Sequence, residues 1–327
     1  MERTLPRPPS ACRLEPIFIA GPTAVGKSAV ALALAETIGG ELISVDSMQV
    51  YRGLDLGTAK PTAEERARVP HHLVDVCDLR ATFDAAQFVR LAQRAAEEIQ
   101  GRGRTPVFCG GTGLYFTALL AGLGEAPPAD AALRTELAAA PLAALLAELQ
   151  DRDPATFASI DRNNPRRVVR AIEVIRLTGK RFSEQRAAWK VTRNTDHGAR
   201  FFCLTRADED LRRRIHMRVD GMFARGLVAE TRQLLGQGLA ENPTAMQAIG
   251  YRQVVEHLRG ERGLPETVEL VKIRTRQFAK RQRTWFRRQG NYRWLELRPG
   301  EKPAETMEKM LAAPEGDVFR DANENRR

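Results

Sequence analysis

The stretch PIFIAGPTAVGKSAVALALAETI, residues 16–38, decides the architecture. Its first five residues are an apolar run closed by Gly21, which reads as a buried parallel strand. Residues 28–38 read as a helix stopped by Gly39-Gly40. Between them, Gly21, Pro22, Thr23, Ala24, Val25, Gly26, Lys27 and Ser28 fit the pattern G-x-x-x-x-G-K-[ST] without departure. Such a loop turns backbone N–H groups inward at a helix N-terminus, whose dipole favours anions. Lys27 adds a point charge, and the Ser28 hydroxyl is placed to ligate Mg²⁺. The bland alternative is a glycine-rich turn that only joins strand to helix. Full motif and strand–helix context together favour a phosphate cradle, without saying which phosphate.

Working outward, ELISVD ends a second strand at Asp46, and LVDV at 73–76 reads as a third. A helical stretch runs from about Asp84 to Gln100. PVFCG is a fourth strand ending in Gly110-Gly111, and a helix follows from Thr112 towards Leu120. Strand and helix in alternation with short loops specify a doubly wound parallel sheet, and ligands bind such sheets at the carboxyl ends of the strands. From Gly122 the character changes: GEAPPAD is a proline-rich break, and 130–189 reads as helical and rich in Ala and Arg. A strand returns at 201–204, helices follow at 208–225, 227–237, 247–259 and 266–288, and NYRWLEL reads as a last strand. The expectation is an α/β, P-loop NTPase-like parallel sheet with a helical insertion and long C-terminal helices. The expected divisions are a disordered tail (1–14), the core (15–122), the insertion (123–195), a return to the core (196–313) and a second tail (314–327).

The 327 residues carry 51 Lys+Arg against 41 Asp+Glu, a net charge of +10 and a pI near 9.9. That surplus points either to a polyanionic partner or to solvated surface charge, and composition does not choose between them. Cys12, Cys77, Cys109 and Cys203 are scattered with no CxxC pair, which gives a disulfide framework or zinc site no support. A reduced, cytoplasmic setting is expected. The N-terminus lacks the apolar core of a signal peptide, and no apolar run reaches the length of a membrane span.

Asp46 ends its strand beside the cradle, so its carboxylate is expected to face the same cleft. It is either a Walker-B-like magnesium partner or a general base for a substrate held above the phosphates. Gly110-Gly111-Thr112-Gly113 follows the fourth strand, where glycines allow close backbone approach to a ligand, or simply make a turn and helix cap.

These residues resemble a known family. GPTAVGKS, DSMQVYRGLDLGTAKP (46–61), GGTGLY (110–115), NPRRVVRAIEV (164–174) and IGYRQ (249–253) are similar, in this order, to the motifs of tRNA dimethylallyltransferases of the bacterial type. The resemblance spans roughly residues 16–296, and the DSMQVY…GTAKP run is far more specific than the P-loop. It implies that the loop binds the diphosphate of dimethylallyl diphosphate, with Mg²⁺, and that the acceptor is N6 of the adenosine 3′ of the anticodon in tRNA. It assigns Asp46 the role of catalytic carboxylate, to accept the proton of a poorly nucleophilic amine. Thr23 is expected to face the donor, and Gly26, Lys27 and Ser28 to stabilise departing pyrophosphate. Arg218, four residues after Arg214 and so on the same helix face, matches the family's second diphosphate-binding arginine, although a solvated basic helix is an alternative.

On the RNA side, the resemblance implies that the acceptor base leaves its stack and enters a channel lined by Asp46, Ser47, Met48, Gln49 and Thr112, with Gln49 able to bond an adenine edge. Arg166, Arg167, Val168, Val169 and Arg170 of the insertion match tRNA contacts. So do Gln247, Ala248, Ile249, Gly250, Tyr251 and Arg252, and less strongly Arg134. The last long helix carries Lys272, Arg274, Arg276, Lys280, Arg281, Arg283, Arg287 and Arg288 without an acidic residue between them. Such density suits a phosphate backbone, or a solvated face. Phe278, Trp285 and Phe286 are expected in the core. Val25 and Ser28 depart from the usual Ser and Thr, the latter keeping its hydroxyl. A Cys/His zinc finger of the eukaryotic type is not seen. A monomer is expected. The rivals are a small-molecule kinase using the loop for ATP, an isopentenyltransferase acting on free AMP, and a non-catalytic RNA-binding module. The insertion and basic helix serve neither small-molecule enzyme, and the third leaves Lys27 and Asp46 without purpose.

Overall fold

The computed structural model describes residues 15–122, 127, 130–184, 200–289 and 292–312. Both expected tails and the end of the expected insertion lie outside these residues. The chain divides into two compact units, 1–119 with 196–327, and 120–195.

The first unit is built on a parallel sheet of six strands: β1 (Ile17–Ala20), β2 (Glu41–Val45), β3 (His71–His72), β4 (Pro106–Gly110), β5 (Phe201–Thr205) and β6 (Arg293–Glu296). Their order is β3-β2-β4-β1-β5-β6, and every pairing is parallel. This is the α/β architecture expected. β1 lies between β4 and β5, with Ile19 opposite Cys109 and Phe202, and all four of its residues are buried. A strand covered on both faces must be apolar throughout, which is why IFIA reads as a continuous run. The third strand is corrected from 73–76 to β3, because Leu73 and Asp75 have φ of 61° and 58°, values that an extended strand excludes.

Helix α1 (Lys27–Ile38) buries Val30, Ala31, Leu32, Leu34 and Ala35, and ends at Gly39 in the left-handed conformation. Helix α2 (Ala63–Arg68) and α3 (Ala85–Gly101) both start with reciprocal capping boxes, Thr62 with Glu65 and Asp84 with Gln87. Helix α4 (Gly113–Ala121) follows β4.

In the second unit, α5 (Ala131–Ala139), α6 (Leu142–Arg152), α7 (Pro154–Ser159) and α8 (Pro165–Thr178) pack around Leu137, Leu145, Leu149, Val168, Ala171, Ile172 and Ile175. Proline at the first position of α8, an Asn164 cap and Gly179 beyond its end fix its limits. Buried Glu173 accepts Asp130 N at 3.0 Å, Arg134 Nε at 2.9 Å and an Arg170 guanidinium nitrogen at 2.7 Å. Burial, the largest single influence, raises this carboxyl, but the two guanidiniums and the backbone N–H together outweigh it and hold it below the usual range.

Back in the first unit, α9 (Asp208–Ala224), α10 (Leu227–Gly236), α11 (Tyr251–Leu258), α12 (Leu264–Gln289) and α13 (Pro303–Ala312) complete the chain. The helix expected from 247 begins at Tyr251, after a 3₁₀ turn at Ala245–Gln247. Among the described residues, no helix is long and apolar enough to cross a membrane.

Candidate active site

The carboxyl ends of β1, β2 and β4 meet at one edge of the sheet, and the loop from Gly21 to Ser28 turns there. Gly26 adopts φ 114° as the residue before α1, a conformation that costs glycine nothing and a residue with a Cβ a great deal. Lys27 Nζ donates to Pro22 O at 2.8 Å, so the ammonium folds back over its own loop. Ser28 is the second residue of α1, and it is exposed.

Residues distant in sequence hold the loop. Arg206, nearly fully buried, donates from Nε to Val25 O at 2.7 Å and bonds Asp210 at 2.8 Å. Arg214 Nε donates to Ala24 O at 2.9 Å. Thr23 N donates to Gln282 Oε1 at 2.8 Å, while Gln282 Nε2 donates to Gly111 O at 2.9 Å. Sequence reading missed Arg206 and Gln282. Arg206 follows a strand, and Gln282 sits within a basic helix; neither position carries a local signal.

Asp46 follows directly on β2. Its Oδ1 accepts Met48 N at 2.8 Å and Gln49 N at 3.3 Å, an Asx turn that fixes the carboxylate, and Oδ2 has no hydrogen bond among the described residues. Lys27, Asp46 and Arg218 feel one another's charge. Burial pushes the Lys27 ammonium down to about 8; Cys109 and Asp46 oppose this, and Arg218 adds to it. Burial likewise lowers the Arg218 guanidinium, which donates to Thr58 O at 3.4 Å. The Cys109 thiol is pushed up to about 11 by burial. The expected three residues therefore converge. The arrangement can hold a polyanion against Lys27 and Arg218, with a fixed carboxylate alongside.

The surroundings differ in detail from expectation. Gln49 turns inward: its Oε1 accepts Ser44 Oγ at 2.8 Å, and its Nε2 donates to Thr58 O and Ala59 O at 3.2 and 3.3 Å. Thr112 Oγ1 accepts Ser47 N at 3.1 Å, tying the end of β4 to the turn after β2. The glycines of GGTG admit a helix rather than a ligand. A Cβ on Gly111 would lie 2.3 Å from Gln282 Nε2, and one on Gly113 would lie 2.1 Å from Trp285 Cδ1. Tyr251, matched by resemblance to a tRNA contact, has its side chain inside the protein as a pin. It is wholly buried, bonds Glu230 through its hydroxyl, and accepts Gly57 N at 3.0 Å. Its ring touches Gly57 so closely that a Cβ there would lie 2.4 Å away. The GTAKP and IGYRQ motifs are thus packing partners. In the same stretch, Lys60 is buried, with its ammonium on Tyr51 O at 2.6 Å and on Asp55 at 2.7 Å.

Among the other expected RNA contacts, Val168 lies in the core of the helical unit, with Val169 packed against that core. Ala248 and Gly250 are buried. Val168 and Val169 turn inward because the helix periodicity that exposes Arg166 and Arg167 directs their apolar neighbours to the other face. Arg134 and Arg170 grip Glu173, as described. Gln247 and Arg252 are exposed and, with Ile249, line a cavity of about 420 Å³ that Arg262, Arg274 and Arg281 also border. Of the basic run on α12, Lys272 pairs with Asp220 and Glu269, and Arg283 with Asp208, while Arg274, Lys280, Arg281, Arg287 and Arg288 are exposed. Phe286 is buried as expected, but Phe278 lies at the surface, 5.8 Å from the Arg281 guanidinium.

Fold and loop together define a P-loop α/β protein whose loop carries Lys27 beside the Asp46 carboxylate. The family model described as IPP transferase matches residues 49–289, and the chain belongs to that family. It is 47% identical over 290 residues to the tRNA dimethylallyltransferase of Geobacter metallireducens, covering 87% of this chain and 93% of the relative. It is 44% identical over 317 residues to that of Thermomicrobium roseum, covering 92% and 94%. The crystal structure of a tRNA isopentenylpyrophosphate transferase from Bacillus halodurans superposes with a TM-score of 0.65 at 39% identity, over 91% of this chain and 96% of that one. A eukaryotic dimethylallyltransferase acting on tRNA gives a TM-score of 0.74 at 30% identity, over 86% and 74%.

Proposed function

We propose that this chain transfers the dimethylallyl group from dimethylallyl diphosphate to N6 of the adenosine 3′ of the anticodon in tRNA, releasing diphosphate. One observation carries the reading: Lys27, Arg218 and the fixed Asp46 carboxylate converge at the carboxyl edge of the sheet. In the reaction, a bond forms between N6 and the first prenyl carbon, the carbon–oxygen bond to diphosphate breaks, and N6 gives up a proton. Lys27 and Arg218 oppose the charge that grows on the leaving oxygens, where fixed cations in a desolvated site act most strongly. Asp46 Oδ2 receives the N6 proton, raising the nucleophilicity of an amine whose lone pair is spread into the ring.

The residues fit a magnesium ion of the kind completed by substrate. No group of three or more His, Cys, Asp or Glu among the described residues would cage a cation, whereas Ser28 presents a hydroxyl beside the loop. Mg²⁺ characteristically takes one or two protein ligands with phosphate oxygens and water. When bound it neutralises charge on the diphosphate. For tRNA, the exposed groups best suited are Arg166 and Arg167, Gln247 and Arg252, and the basic face of α12. A monomeric, cytoplasmic enzyme completes the reading; the thiols of Cys77 and Cys109, which form no disulfide, fit a reducing compartment.

The test is direct. Purified protein with Mg²⁺, dimethylallyl diphosphate and unmodified tRNA yields N6-prenyladenosine at the position after the anticodon, found by mass analysis of the digested RNA. ATP consumption without prenyl transfer overturns the reading in favour of a small-molecule kinase.

A further inference from the structure

Gln282 is polar, 7% exposed, and surrounded in sequence by cations that face solvent. Nothing in the proposed chemistry uses it. Yet both ends of its carboxamide are committed at the anion site: Oε1 to Thr23 N at 2.8 Å, and Nε2 to Gly111 O at 2.9 Å. One side chain thus spans two loops, the phosphate turn after β1 and the glycine turn after β4, from a third element, α12. The packing is built around that span. Gly111 leaves room for the carboxamide and Gly113 for the Trp285 ring one turn further along α12, and no Cβ fits at either position. Asn would be too short to reach both partners, and an apolar side chain would leave a buried N–H and a buried carbonyl unpaired.

We propose that Gln282 is a positioning residue for the diphosphate: it sets the shape of the Thr23 end of the loop and registers the basic helix against it. The proposal rests on the reading of the loop as the donor's diphosphate site. By fixing Thr23 N–H, Gln282 removes that donor from the set offered to the anion and leaves the binding to Lys27 and the later N–H groups. It touches neither the reacting carbon nor N6, so its effect falls on donor binding. Lys280, Arg281, Arg287 and Arg288 of α12 are exposed, whereas Gln282 is buried.

The experiment compares wild type with Gln282→Met, which keeps length and loses both bonds. The probe is the sulfur-linked dimethylallyl thiodiphosphate, which binds without transferring. Its Kd is expected to rise on the order of tenfold, as for loss of a buried pair of bonds, while the Kd for tRNA changes less than twofold. Arg281→Gln is expected to show the reverse split. Amide exchange at Thr23 is expected to speed up in Gln282→Met by more than exchange at the core amides of β1 and α1, a difference that reports this bond apart from any general loss of stability. Unchanged analogue affinity, equal weakening of analogue and tRNA, or a Thr23 amide no faster than in wild type overturns the proposal. Wild-type protein that transfers prenyl normally separates that failure from failure of the functional reading.

Discussion

Raising pH tests the electrostatics of the site through Lys27. Its ammonium titrates near 8, because burial disfavours the charged form and Arg218 adds repulsion, against the opposing effects of Cys109, Asp46 and Cys203. A lysine lowered in this way is mostly charged at pH 7 and mostly neutral at pH 9. With a midpoint of about 8, the protonated share falls from about nine tenths to about one tenth, so affinity for the donor falls about tenfold. At saturating donor the turnover rate is less sensitive, since a bound diphosphate raises the lysine again. The signs of two substitutions follow. Arg218→Gln removes a repelling charge and moves the midpoint up. Asp46→Asn removes an attracting one and moves it down. Binding of the sulfur-linked analogue by calorimetry between pH 6.5 and 9.5 reads all three midpoints without turnover. Affinity constant from pH 7 to 9, or both substitutions moving the midpoint the same way, refutes the reasoning.

Asp46→Ala is expected to lower turnover by about 10² to 10⁴, the range for a general base, while the Kd for tRNA holds; equal loss of binding would make it a positioning residue. Tyr251→Phe leaves Gly57 N–H and Glu230 without their shared hydroxyl and is expected to cost about 1–3 kcal/mol in denaturant unfolding. Increasing salt is expected to weaken tRNA binding steeply, with the logarithm of affinity falling by about 0.7 per phosphate contact per logarithm of salt for single-stranded RNA, and to affect the analogue far less.

The first strand, loop and helix were legible because the phosphate site is written contiguously: eight residues fix glycine conformations, charge and hydroxyl at once. Asp46 was legible from its place at the end of a strand beside the loop, the role given to it and Arg218 through the family resemblance, and the sheet through alternation of apolar runs with helices. The third strand slipped because LVDV has strand composition, while Leu73 and Asp75 take positive φ and Asp75 turns to pair with Lys60 and Arg66. Burial is what the resemblance could not convey. Tyr251, Val168 and Ala248 share stretches with exposed arginines, but their side chains belong to the interior. The glycines of GGTG left open a ligand or a simple turn and helix cap, and what crowds them is Gln282 and Trp285.

The bonds that hold the phosphate loop join residues 181, 190 and 259 positions apart. The eight-residue motif leaves the ribosome early, yet the groups that fix its shape arrive with β5, α9 and finally α12. A nascent chain that stops before residue 200 carries the motif without the side chains that hold it: Arg206, Arg214 and Gln282. The shape of the loop is therefore settled by contacts that can form only late in synthesis, when distant segments close on the beginning of the chain.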